Sequence, residues 1–269
     1  MDKTYHFHSG NSPLLISMPH AGTGIPKDIK RRLTPDAALL PDVDYHLPIL
    51  YDMAKELDIS VISAEYARYV IDLNRSPENT SLYPGQDVTG LCPIDTFAKS
   101  AIYLDEEQPD EKEIESRIEQ FWQPYHQKLT TELQRIQAIH GVAVLWDAHS
   151  IASQVPRFFS GKLPDLNFGT ADSSSCDTSL QDALAATMRE SIHAKAYSHV
   201  FNGRFKGGYI TRHYGVRSMN IHAVQLEMSQ CIYMEENPPY KYDAELALKV
   251  KPLLADLLKT CLNWAEAQK

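Results

Sequence analysis

The chain reads as an α/β protein, a three-layer αβα sandwich built on a mixed, largely parallel sheet. Three observations predict this. Short apolar runs at 14–18, 59–64, 69–73, 142–146 and 223–226 are often β-branched and bounded by Pro, Gly or Asp, as expected of strands covered on both faces. Helical periodicity appears between them, and such alternation favours a parallel sheet between helical layers. No repeat, low-complexity tract or linker interrupts the 269 residues. One large domain can fill that length, so residues 1–269 are taken as a single domain.

The clearest helical stretch runs from about Glu111 to Ile139, with Ile114, Ile118, Phe121, Trp122, Tyr125, Leu129, Leu133 and Ile136 at 3-4 spacing. Gly141 is its expected stop. A second helix is expected over about Ser179–Ala194. The last starts near Asp243, with Pro252 expected to kink or split it. Three segments resist this pattern: Leu73 to Phe97, Ser153 to Asp177, and Asn202 to Asn220, the last holding four Gly, three Arg and two Tyr. Long loops within a compact domain tend to be functional or disordered. Arg and aromatic residues among Gly favour function here.

Composition narrows the classes. The apolar share of 43% and charged share of 23% are those of a globular protein. A net charge of −9 argues against a nucleic-acid surface, although a local Arg cluster can still attract a small anion. No run is long enough to span a bilayer, and Met1-Asp2-Lys3-Thr4 lacks the apolar core of a signal peptide. Cys92, Cys176, Cys231 and Cys261 form no CxxC pair. Reduced thiols in a cytoplasmic protein are the simplest expectation.

Three of the apolar runs end in metal-site chemistry: Met18-Pro19-His20, Trp146-Asp147-Ala148-His149 and Gln225-Leu226-Glu227. Ligands of open α/β sheets bind beyond the carboxyl ends of the strands, so two His and a Glu there suit a zinc site that activates water. Each residue also has an ordinary reading: a hydrogen-bonded structural His, or a Glu in a salt bridge. Glu227 would act as general base and then as general acid. A third ligand is sought among Asp44, His46 and Asp147, with Asp44 preferred, though an Asp before a helical stretch is equally an N-cap. Asp147 could instead support a metal-bound His. In Asp72-Leu73-Asn74-Arg75-Ser76-Pro77, Arg75 can bind a carboxylate bidentately, with Asn74 adding a donor. Arg157, Arg204 and Arg212, all in irregular segments, are further anion candidates and suggest a substrate with more than one carboxylate. GxSxG, Walker, GxGxxG and HExxH motifs are absent.

These motifs resemble the N-formylglutamate amidohydrolases. The matching stretches are Ser17-Met18-Pro19-His20-Ala21-Gly22, Asp44-Tyr45-His46-Leu47-Pro48, Asp72 to Pro77, Tyr83-Pro84-Gly85-Gln86 through Cys92-Pro93, and Asp147-Ala148-His149-Ser150. Further on come Gly169-Thr170-Ala171-Asp172 to Cys176, Asn202 to Gly215, and His222 to Met228. The resemblance implies hydrolysis of N-formyl-L-glutamate, a small dicarboxylate, to formate and L-glutamate in histidine degradation. It also implies a fold similar to the zinc carboxypeptidases (phosphorylase/hydrolase-like). By that likeness His20 and His149 hold Zn2+ or another divalent metal, Glu227 is catalytic, and Asn74 and Arg75 meet substrate, with Arg204, Tyr209 and Arg212 beside them. The carboxypeptidase HxxE pair is broken, since Thr23 stands three residues after His20; Asp44 is the substitute. Competing expectations are a zinc hydrolase of another N-acyl amino acid and a non-catalytic anion-binding protein on the same scaffold.

Overall fold

The computed structural model describes residues 3–80, 85 and 87–268. Met1, Asp2, Tyr83, Pro84 and Gln86, which figure in the sequence reading, lie outside them. Seven strands make one sheet: β1 (Tyr5–His8), β2 (Leu14–Met18), β3 (Ser60–Ala64), β4 (Ala143–Ile151), β5 (Leu166–Gly169), β6 (His199–Phe201) and β7 (Ile221–Ser229), in the order β1-β3-β2-β4-β7-β5-β6. The helices are α1 (Lys27–Lys30), α2 (Leu47–Leu50), α3 (Glu111–Arg117), α4 (Gln123–His140), α5 (Thr178–Glu190), α6 (Tyr209–Tyr214) and α7 (Ala244–Glu266). The pairings β2–β3, β2–β4, β4–β7 and β5–β6 are parallel, whereas β1–β3 and β5–β7 are antiparallel. The sheet is therefore mixed and mostly parallel, as expected.

Both faces of the central strands are covered. Val144, Trp146 and Ala148 of β4 pack with Val224, Leu226 and Met228 of β7 against α5 and α7. On the other face, Ala143 and Leu145 meet Leu129, Leu133 and Ile136 of α4 and Ile210 of α6. Alternation along a strand then carries Asp147, His149, Gln225 and Glu227 onto the α4/α6 face. Asp side chains cap α3, α5 and α7: Asp110 accepts from Glu113 N, Asp177 from Ser179 N, and Asp243 from Glu245 N and Leu246 N.

Several boundaries differ from the sequence reading. The run 69–73 is buried but not a strand. Its carbonyls are taken instead by the buried Arg117, whose Nη1 reaches Tyr69 O (3.4 Å) and Val70 O (2.8 Å). The long helix is interrupted by a π turn at Ile118–Trp122, and α5 ends at Glu190 because Ser191 turns extended. Pro252 does not split α7. The weakly patterned β1, β5 and β6 were not anticipated, nor was α6 within the Gly-rich segment. All four cysteines are free. Among the described residues no helix is long and apolar enough to cross a membrane.

Candidate active site

Register builds the core of the site. Parallel pairing of β4 and β7 sets Asp147 beside Gln225 and His149 beside Glu227. Both strands run past their expected ends, so His149 and Glu227 are held by the ladder itself. His20 follows β2, whose Ser17 pairs with Asp147. Asp44 comes from the loop before α2; its N–H donates to His20 O (3.0 Å) and its Oδ2 accepts from Ser150 N (3.2 Å). The N-cap position of α2 belongs to His46, so Asp44 is no cap. His46 lies 2.6 Å through Nε2 from Tyr240 O, away from the cluster.

His20, Asp44 and His149 converge, with one potential ligand atom from each lying within 4.8 Å of the others. Nδ1 of His149 is 3.1 Å and Nδ1 of His20 3.8 Å from Asp44 Oδ2. The far side of each ring meets a carboxylate: His20 Nε2 is 2.7 Å from Asp72 Oδ1, and His149 Nε2 is 3.2 Å from Asp147 Oδ2. Donation from Nε2 to those carboxylates leaves the Nδ1 lone pairs for a cation, the arrangement that orients metal-binding imidazoles. Two imidazoles and a carboxylate suit zinc or a similar divalent ion.

The electrostatics agree with a site that wants positive charge. All three residues are buried. Burial works against a charged His149, but Asp147 and Asp44 outweigh it and hold its pKa well above the usual value. Burial, assisted by Arg68, lowers that of His20. Asp147 Oδ1 is buried without a hydrogen-bond partner, while its Oδ2 accepts from Thr211 Oγ1 (3.2 Å) and faces His149. Asp72 stays ionised: burial opposes this, yet Arg68 and His20 keep its carboxyl well below the ordinary range.

Glu227 stands apart from salt bridges. Among the described residues none donates a hydrogen bond to its carboxylate, and only 9% of the residue is exposed. Burial, partly offset by His149 and reinforced by Asp44, raises its pKa to about 8. A carboxylate that exchanges protons near neutrality is suited to general base and acid work.

The cavity in front of this cluster encloses about 610 Å³ of space between protein atoms, its open mouth included. His20, Asp44, His149 and Glu227 line it together with Asn74, Arg75 and Arg204. Among the described residues, the guanidinium of Arg75 donates to neutral oxygens, Thr89 O, Asn74 O and Thr89 Oγ1. Arg204 lies between the rings of Phe158 and Phe205, at 5.5 and 5.6 Å, and donates to Phe158 O. Asn74 is tied into the frame through its Oδ1, which accepts from Ile210 N (2.8 Å). Gly208 permits this approach, since a Cβ there would fall 2.3 Å from Asn74 Nδ2.

The structure does not bring every candidate to this wall. Tyr209 packs on Trp122, His126 and His213, and Arg212 Nε donates to Gly207 O; neither lines the cavity. Arg157 is engaged by Asp87 and Asp95. The sequence reading also missed residues. Arg68 lines the cavity, bonds Asp72 (2.6 Å), lies over Phe97 (4.7 Å), and has a buried Nε with no partner. Gln225 lines it and accepts from Gly208 N. Arg68 sits in an unpatterned stretch and carries no local signal; Gln225 could have been found from its period-2 relation to Glu227.

Similarity to known proteins runs along the same lines. Residues 12–234 match the family model described as N-formylglutamate amidohydrolase. The N-formylglutamate deformylase of Pseudomonas putida is 48% identical over 264 residues, covering 98% of this chain and 97% of that protein. That of Pseudomonas aeruginosa is 45% identical, covering 98% of each. The crystal structure of N-formylglutamate amidohydrolase from Ralstonia eutropha JMP134 has the same fold, with a TM-score of 0.78 at 23% identity over 98% of this chain and 97% of that one. The Agrobacterium tumefaciens gene product Atu2144 is similar in fold, with a TM-score of 0.71 at 18% identity over 97% and 96%. With the family model spanning most of its length and two relatives above 40% identity, this chain belongs to the N-formylglutamate amidohydrolase family.

Proposed function

We propose that this protein hydrolyses N-formyl-L-glutamate to formate and L-glutamate, aided by a divalent metal, preferably zinc, held by His20, Asp44 and His149. The supporting observation is the convergence of two carboxylate-backed imidazoles and Asp44 beside a buried Glu227, in a cavity that also carries Arg75 and Arg204. A bound divalent ion would polarise the formyl oxygen and lower the pKa of a water molecule.

The chain's own residues supply the rest. Glu227 accepts a proton from the attacking water and returns it to the departing amine nitrogen. Asp72 and Asp147 fix the ring orientations of His20 and His149. Arg75 and Arg204 bind the two carboxylates of the substrate through charge-assisted hydrogen bonds. Arg68 lines the cavity, and its positive charge favours the ionised form of Glu227 and negative charge developing nearby. Arg212 contributes at one remove by holding Gly207 O, and Tyr209 by packing on Trp122 and His126.

A panel of N-formyl, N-acetyl and N-carbamoyl glutamate, with the aspartate analogues, tests the reading. Release of formate from N-formylglutamate well above the other rates is expected. Faster turnover of another N-acyl amino acid would replace the substrate, and tight binding of these anions without turnover would replace the class.

A further inference from the structure

The helix that covers the site is continuous from α3 to α4 except at one point, and Pro124 explains it. Lacking an N–H, Pro124 cannot bond the carbonyl of Gln120 as a helix interior requires. The chain widens one turn instead, and the N–H of Gln123 reaches back to Ile118 O, five residues away. One additional residue in a turn rotates the rest of the helix by roughly 100° relative to a regular one. Such π turns recur at functional sites.

The residues leaving this turn meet the segment that carries Asn74 and Arg75. Trp122 Nε1 donates to Arg75 O (3.0 Å). His126 Nε2 lies 2.8 Å from Leu73 O. A carbonyl can only accept, so Nε2 carries the proton; the Tyr214 hydroxyl lies 2.9 Å from the unprotonated Nδ1 and 3.1 Å from His126 O. The two rings stack on each other, with centroids 3.7 Å apart and planes 18° apart. One stacked pair thus holds the carbonyls on both sides of Asn74. Residues 71–76 belong to no strand or helix, so no ladder fixes them. Neither Trp122 nor His126 lines the cavity.

We infer that the Trp122–His126 pair, placed by the π turn, is the positioning element for substrate recognition, acting through the backbone of Asn74 and Arg75. This rests on the reading that Arg75 binds a substrate carboxylate. The pair touches neither substrate nor metal ligands; its effect is to hold one wall of the carboxylate end at the distance the substrate needs.

The test compares Trp122→Phe, Arg75→Ala and the double variant in the metal-loaded enzyme. Trp122→Phe keeps the aromatic ring and removes one neutral donor, which corresponds to an increase of about threefold to tenfold in KM. Inhibition by the product glutamate should weaken in parallel, with kcat and bound metal retained. Arg75→Ala should raise KM more, and the double variant should match Arg75→Ala. Tyr214→Phe, which removes the hydroxyl that contacts both Nδ1 and the backbone carbonyl of His126, should move KM in the same direction and decides the matter if Trp122→Phe does not fold. An unchanged KM in the folded Trp122→Phe or, failing that, Tyr214→Phe, beside a raised KM in Arg75→Ala, overturns the inference. So does additivity in the double variant, or a loss confined to kcat. An unchanged KM in Arg75→Ala would instead overturn the reading of Arg75, and the inference with it.

Discussion

The two ends of the cavity are built differently. At the metal end, His149 and Asp147 on β4 face Glu227 and Gln225 on β7 in register, so backbone hydrogen bonding fixes their spacing. At the carboxylate end, Arg75 and Arg204 come from irregular segments and are held by bonds to single oxygens such as Thr89 O and Phe158 O. His149 and Glu227 therefore keep their spacing through the ladder, His20 and Asp44 are brought to them by adjoining loops, and recognition placed wholly on loops can be altered one contact at a time. The ends should therefore fail differently when disturbed.

The largest expected effect lies at the metal end. Glu227→Gln removes the proton carrier and should lower kcat by about 10²–10⁴-fold, with KM and metal content little changed. Formate release and elemental analysis on the same sample measure both; loss of metal alongside activity would make Glu227 a ligand and blur the distinction between the two ends. Arg75→Ala should do the reverse. Loss of a charge-assisted contact costs about 1.5–3 kcal/mol, a rise in KM of about tenfold to a hundredfold, with kcat far less affected. Asp147→Asn sharpens the comparison further: it keeps shape but removes the charge behind His149, and metal affinity should drop about 10–100-fold in a chelator competition.

The last effect is on folding stability and leaves turnover at neutral pH aside; it concerns the support beneath the carboxylate end. Burial lowers the pKa of His126 to about 3. A His whose folded pKa lies below its unfolded value, about 6.5, favours folding in its neutral form. That contribution is complete above about pH 6.5 and is lost as pH falls toward about 3, by about 1.4 kcal/mol for each step of one in pH. Urea unfolding of wild type and His126→Gln at successive pH values should give curves that converge as the pH falls through this window. Parallel curves would mean that His126 is protonated in the fold.

Legibility in the sequence divides along the same line. Strands β2, β4 and β7 were evident from apolar runs, and His20, His149 and Glu227 from their position at the ends of those runs. Asp44 was one of three options, because its role depends on a loop folding back to His20. Arg68 was invisible, since a lone Arg in an irregular stretch looks like any surface Arg until burial and Asp72 reveal it. The run 69–73 was misread as a strand because buried apolar residues carry no record of whether a ladder or a side chain, here Arg117, takes their carbonyls. Pro124 was overlooked inside a strong 3.6-residue pattern, and with it the π turn. Tyr209 and Arg212 share a motif with the site but point their side chains elsewhere.

The central claim is that catalysis depends on a cation held by His20, Asp44 and His149. The most direct measurement strips the purified protein of metal with a chelator, then monitors formate release from N-formylglutamate while zinc is added back. The expected result is negligible activity in the stripped protein, recovery that saturates at about one ion per chain, as one three-residue site implies, and no recovery in a His20→Ala, His149→Ala double variant that remains folded. Undiminished turnover by protein shown to be metal-free would contradict it.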